Sequence, residues 1–434
     1  MIRAALVALA LAGCSPTPIE VAMRQAVAAP GFVEVATLTD QTGMAIRGAG
    51  AQLGRRVYWM AGERGPNGTY NCSSTAHWND AEHLKHCPGA LISVSLDGDA
   101  DIQVAHAFDQ LDARGQNDGG YHPYGTPLAV DGCLVGVTQV GGRPTGAGIE
   151  ADTAAGAGTL WRYCPDTGAF ETLHNFFAVG RALDGEYPMG TPALTPDGRI
   201  CGTTKGGGAL SRGTVWCWSA SGFDYVPLSP ATGTAYGGLT YSGGSLHFST
   251  NDGAENGVGA YVRADAATLA LTVVDSWPAF TGSQCCNDNT SIQAPTRIGT
   301  ALVMARQFEG SGGTGLVVRL DPTAGISVLG GFEPVVVDAV PRFSNTTGGM
   351  ANGRVTEAPN GMVMGTAAYG GAAGAGGIYE LARDGTRQRL VHSFDPGGPS
   401  YPYGGLMTTT DGEIYGSTFS GTIFKFAPPI EACP

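Results

Sequence analysis

The chain is predicted to be all-β: a seven-bladed β-propeller of four-stranded blades, closed by an N-terminal outer strand that pairs with the C-terminal blade. Three observations lead there. One loose phrase recurs seven times between Gly48 and Phe426: Gly-Gly or Gly-Thr before Leu, a tight turn, an apolar run ending in small residues, a Gly-rich loop, then Gly-Thr-aliphatic-aromatic. From Phe32 onward, strand-length apolar runs are punctuated by Gly, Asn-Gly and Asp-Gly, without a helical pattern. Glycine supplies 69 of 434 residues, roughly twice average usage. Tied to a period, that enrichment means many tight turns rather than disorder.

Residues 1–13 read as a lipoprotein signal peptide. Arg3 is a short basic start, residues 4–12 are apolar, and Leu11-Ala12-Gly13-Cys14 reads as a lipobox whose Cys14 is acylated. That apolar stretch is too short to span a bilayer, whereas several acyl chains on one Cys anchor durably. Residues 14–31 form a proline-containing tether, 32–427 the propeller and 428–434 a C-terminal tail.

The seven units align on their second strand, which begins near Val57, Leu134, Ile200, Leu246, Leu302, Val363 and Ile414. A four-stranded blade needs about 40–50 residues, so the surplus of the longer units belongs to loops. Strand a carries the Gly-Gly-Leu phrase, strand b Leu-Tyr-Gly-Thr-Thr and strand c Gly-Thr-Val-Phe. Strand d is expected at 102–108, 170–176, 223–228, 271–277, 326–332 and 388–394. The seventh d strand is missing from the C-terminus, but residues 32–39 alternate as a strand ahead of the first strand a. Pairing them with 423–426 closes the ring and removes both exposed edges; an open array of β units is the alternative. Gly125-Thr126, Gly190-Thr191, Gly237-Gly238 and Gly404-Gly405 suit the crowding where strands a converge on the axis.

The last unit runs Tyr401-Pro402-Tyr403-Gly404-Gly405-Leu406, Asp411-Gly412, Ile414-Tyr415-Gly416-Ser417-Thr418 and Gly421-Thr422-Ile423-Phe424-Lys425-Phe426, with His392-Ser393-Phe394-Asp395 upstream. It resembles the GloVer-type tandem repeat of bacterial "choice-of-anchor" surface proteins. The resemblance is close in units two, three, six and seven and weak in one, four and five. Unit five lacks the Asp-Gly turn and has Met304-Ala305-Arg306 in place of Gly-Thr-Thr. The resemblance implies a repeated extracellular β domain held to the envelope; it carries no assigned catalytic residues.

With Cys14 acylated, nine cysteines remain, in a compartment where disulfides persist. Counting along strands b and c places Cys201 opposite Cys217 and Cys133 opposite Cys164 in one shared hairpin register, so both pairs are expected to be bonded. Cys72 and Cys87 lie in a long insertion of unit one with His77, His83 and His86. A Cys72–Cys87 disulfide is expected there, and a metal site on His77, His83 and His86 is the weaker reading, because the spacing matches no standard zinc pattern. Cys285, Cys286 and Cys433 remain unassigned.

A net charge of −13 without a basic patch excludes nucleic-acid binding. No catalytic or phosphate-binding motif is present, so neither an enzyme nor a cofactor is expected. His106, His174 and His392 recur at one place in strand d and read as structural. Tyr121, Tyr124, Tyr187, Tyr236, Tyr401 and Tyr403 fall just before strand a, on the face where the long loops emerge, and are the candidate ligand-binding residues. The expected function is an envelope-anchored extracytoplasmic binding scaffold for a glycan or protein. The expected address is the bacterial envelope, with the outer membrane favoured, the protein monomeric and touching the membrane only through its lipid. The alternative is a polysaccharide lyase or hydrolase with carboxylate and His residues at the channel mouth.

Overall fold

A computed structural model describes residues 31–68, 87–98, 101–143, 156–176, 183–278, 293–307, 309–310, 313–334, 344–351 and 353–428. Cys14, Cys72, His77, His83, His86, Cys285, Cys286 and Cys433 lie outside these. All regular structure among the described residues is β, in seven antiparallel sheets.

In blade 1 the innermost strand is broken into Met44–Ile46 and Ala51–Leu53, both paired with Arg56–Glu63, followed by Ala90–Ser95 and Ile102–Ala107. Blade 2 is Tyr121–Val130, Cys133–Val140, Thr159–Cys164 and Ala169–Asn175; blade 3 is Ala193–Leu194, Ile200–Thr203, Thr214–Ser219 and Gly222–Pro227. Blades 4 and 5 begin at Thr240–Ser242 and Thr296–Ile298 and end at Leu271–Ser276 and Gly325–Gly331. Blade 6 runs from Thr356–Glu357 to Gln388–Ser393. Blade 7 contains Leu406–Thr408, Ile414–Ser417 and Thr422–Ala427, and its outer strand is Gly31–Thr37 from the N-terminus. That strand pairs as Phe32 with Phe426 and Thr37 with Thr422. The expected closure is therefore present.

The repeated phrase has a packing cause. The glycine of strand b stands directly opposite the aromatic of strand c: Gly136 faces Trp161, Gly202 faces Trp216, Gly365 faces Tyr379 and Gly416 faces Phe424. A Cβ at Gly202 would sit 2.3 Å from the Trp216 ring, so only glycine lets the ring lie flat across its partner strand. Blades 4 and 5 place Phe248 opposite Val262 and Met304 opposite Val318. The large residue has moved to strand b, and the glycine is lost with it.

Seven apolar clusters fill the seven gaps between blades. Trp161 and Leu134 meet Met60 and Phe108 between blades 1 and 2, and Phe424 and Phe426 meet Phe394 and Ile378 between 6 and 7. The gap between blades 7 and 1 is filled by Ile423, Tyr415, Ile46 and Trp59. The His-x-Phe motif joins the rims. His106 stacks on Phe170 at 3.7 Å, His174 on Phe223 at 3.8 Å and His392 on Phe32 at 4.6 Å, each on the outer strand of the next blade.

Both expected hairpin disulfides are formed, with Cα separations of 4.2 Å for Cys133–Cys164 and 4.0 Å for Cys201–Cys217. Cys87 is also disulfide-bonded.

Candidate functional site

Each strand a must turn sharply inward from the long-loop face, and the backbone shows how. His122, Tyr187 and Tyr401 have φ near +57°, +59° and +56°, with Ala45 and Met350 in the same place in blades 1 and 6. Non-glycine residues adopt this left-handed conformation at a cost of order 1–3 kcal/mol. Here it aims a backbone N–H at the preceding blade: Tyr187 N–H donates to Ala157 O at 2.8 Å, Tyr401 N–H to Ala375 O at 2.9 Å and His122 N–H to Pro88 O at 3.1 Å. The proline that follows each of these three residues holds φ for the next step inward.

The six tyrosines divide by environment. Tyr121 is fully buried, stacked on His122, and its hydroxyl accepts the Cys87 N–H. It holds the blade 1–2 junction and offers no face to a ligand. Tyr124 is buried beneath the Arg47 guanidinium, 5.5 Å above its ring, while Arg47 also reaches Glu63 at 3.7 Å. Burial pushes the Tyr124 phenol up, and the nearby guanidinium opposes that shift. Tyr236 is half-buried under the Lys205 ammonium at 4.5 Å. Tyr187 is 38 % exposed. Tyr401 and Tyr403 come together through Tyr369: Tyr403 Oη donates to Tyr369 Oη at 3.2 Å, and the Tyr369 and Tyr401 rings lie 5.4 Å apart. Phe419 closes the group, 5.6 Å from Tyr403.

Sequence reasoning missed Arg47, Lys205, Tyr369 and Phe419. A signal for three of them existed. Lys205 and Phe419 stand five residues past the aligned starts of their second strands, and Tyr369 six past its own. That is where strand b emerges onto the long-loop face.

Besides Glu63, the carboxyls of Asp184 and Glu186 stand near the tyrosines. His174 Nε2 lies 2.8 Å from Asp184 Oδ2, whose side chain is fully buried. Burial, then the Asp184 carboxylate, raises the half-buried Glu186 carboxyl above its ordinary value. Among the described residues no cluster of His, Cys, Asp and Glu is arranged to hold a metal ion.

Below the tyrosines the channel narrows to a neck of backbone. A Cβ at Gly48 would lie 1.8 Å from the Gly125 carbonyl oxygen, and one at Gly190 would lie 2.4 Å from Gly237. Blade 5 has Gln293 at this level. Its side chain is buried and donates from Nε2 to Arg47 O at 2.6 Å. Because blades 5 and 1 are not neighbours, this bond reaches across the axis.

No family model and no curated protein matches the chain. Solved structures of similar fold include the extracellular domain of a hybrid two-component system from B. thetaiotaomicron, with TM-score 0.54 and 10 % identity. The match covers 93 % of this chain but only 40 % of that one. A streptogramin B lyase has TM-score 0.52 at 13 % identity, covering 92 % of this chain and 98 % of that one. An oligogalacturonate lyase in complex with manganese has TM-score 0.52 at 10 % identity, covering 93 % and 94 %. At such identities the likeness is one of fold: the chain is a seven-bladed β-propeller.

Proposed function

We propose that this protein is a lipid-anchored, extracytoplasmic propeller that binds a glycan or an envelope protein on its long-loop face. The observation that carries the reading is the aromatic group Tyr369, Tyr401, Tyr403 and Phe419, whose rings are fixed against one another at the channel mouth. Ordered, partly exposed rings present flat apolar faces beside hydroxyls, which suits sugar rings. Two hairpin disulfides accord with an oxidising compartment, and the lipobox at Cys14 supports the anchor. One of the similar folds is an extracellular domain.

A glycan array followed by calorimetry tests the binding. Tyr401→Ala with Tyr403→Ala is expected to weaken the selected glycan about tenfold, from the loss of two stacking faces. Unchanged affinity overturns the assignment. For the anchor, the intact mass of the native product is expected to show an acylated Cys14; a free thiol there or a retained Met1 overturns it.

A second reading, action on a polysaccharide, rests on Glu186. Its raised pKa beside Asp184 suits a general acid, and two similar folds are lyases. Turnover of a polyuronate that Glu186→Gln abolishes would favour it. Turnover unaffected by that change would remove Glu186 from the chemistry.

A further inference from the structure

Beneath the Gln293 bridge, the strands a of all seven blades enclose a cavity of about 600 Å³. Its wall includes Gln52 and Thr410 beside the a–b turns, and Leu194, which is 38 % exposed, so it opens on the face opposite the tyrosines. Besides Gln52 the lining is apolar or hydroxylic, from Leu128, Leu194 and Tyr241 to a ring of threonines, and contains no carboxylate. It contains one charge, Arg354.

The setting of Arg354 is unusual for a cation in a protein of net charge −13. Among the described residues its guanidinium makes one hydrogen bond, Nε to Thr296 Oγ1 at 3.3 Å, and no ion pair. Burial alone displaces its pKa, downward. Arg354 is half-buried, and arginines drawn back from bulk water are commonly matched by a carboxylate, since desolvating a charge is costly. Arg306 is matched so by Glu309 and Arg389 by Glu380, whereas Arg319 donates to the Arg383 carbonyl. The terminal nitrogens of Arg354 are left for something that enters the cavity.

We propose that the channel binds a small organic carboxylate, entering from the a–b turn face and held by Arg354. The planar fork of the guanidinium fits a carboxylate with two parallel bonds. Thr296 in the wall offers a hydroxyl, and Leu128, Leu194 and Tyr241, which keep exposed surface, take the apolar or ring portion. The volume falls within the range of small-molecule pockets. This site is separate from the tyrosine mouth and stands or falls independently of it.

Titration calorimetry and thermal melts with pyruvate, glycerate, glucuronate, phosphate and sulfate at low salt test it. At least one of the carboxylates is expected to bind saturably and raise Tm, with competition among those that bind. Arg354→Met is expected to weaken binding roughly a hundredfold, because two charge-assisted hydrogen bonds are lost. Leu194→Trp at the rim narrows access without touching the arginine and is expected to slow association; this variant keeps the test valid should Arg354→Met fold poorly. Tyr403→Ala is expected to leave the affinity unchanged. No carboxylate binding, binding by phosphate or sulfate alone, or equal affinity in Arg354→Met would each overturn the proposal.

Discussion

At the scale of single residues, the fold depends on atoms that are absent as much as on those present. Gly202 and Gly416 exist so that Trp216 and Phe424 can lie across strand b. Gly202→Ala is expected to cost 1–3 kcal/mol by forcing an off-rotamer ring, read as a lowered denaturation midpoint with unchanged slope. His106 gives a pH-dependent counterpart. Stacked on Phe170 and largely desolvated, its pKa is lowered to about 4, against about 6.5 when unfolded. The unfolded chain thus binds the extra proton between those values, and stability falls as pH drops from 6.5 toward 4. His106→Phe keeps a ring in the stack and removes the titration. Its melting temperature is expected to fall less than that of the parent between pH 7.5 and 4.5; equal falls would refute this account.

At the scale of elements, the b–c hairpin is the unit that the disulfides reinforce. Cys201 stands opposite Cys217 in the ladder, so the bond spans a register that the backbone has already set. Cross-linking residues 16 apart removes about 3 kcal/mol of unfolded-chain entropy. Cys201→Ala with Cys217→Ala is expected to lose about that much, plus the packing of two buried side chains. Peptide mapping without reductant is expected to recover Cys133–Cys164 and Cys201–Cys217 as linked pairs.

For the whole molecule, closure is the decisive property. Seven interfaces need seven complete blades, and the seventh is completed by Gly31–Thr37. Phe32 packs on His392, Phe394 and Phe424, so this strand joins blade 7 to blade 6 as well as covering its edge. Deleting residues 31–37 is expected to lower Tm far more than deleting 15–29. Equal melting temperatures would mean that the ring does not need its N-terminal strand.

Local residue chemistry was enough to read the blade count, the strand order, both hairpin disulfides and the closing strand. Each follows from turn glycines, from alternation with period two, or from a register that counting along a hairpin can reach. The mouth was legible only in part. The approach to strand a exposes its tyrosines as a motif, but Tyr124 and Tyr403 look alike in sequence and differ in burial, because one lies under Arg47 and the other beside Tyr369. Partners such as Arg47 with Tyr124, Lys205 with Tyr236 and Gln293 with Arg47 come from different strands, and in the last case from opposite sides of the ring. Arg354 shows the limit most clearly. Its neighbours in sequence mark it as one more strand residue, and only the convergence of seven strands on a common axis encloses it without a carboxylate.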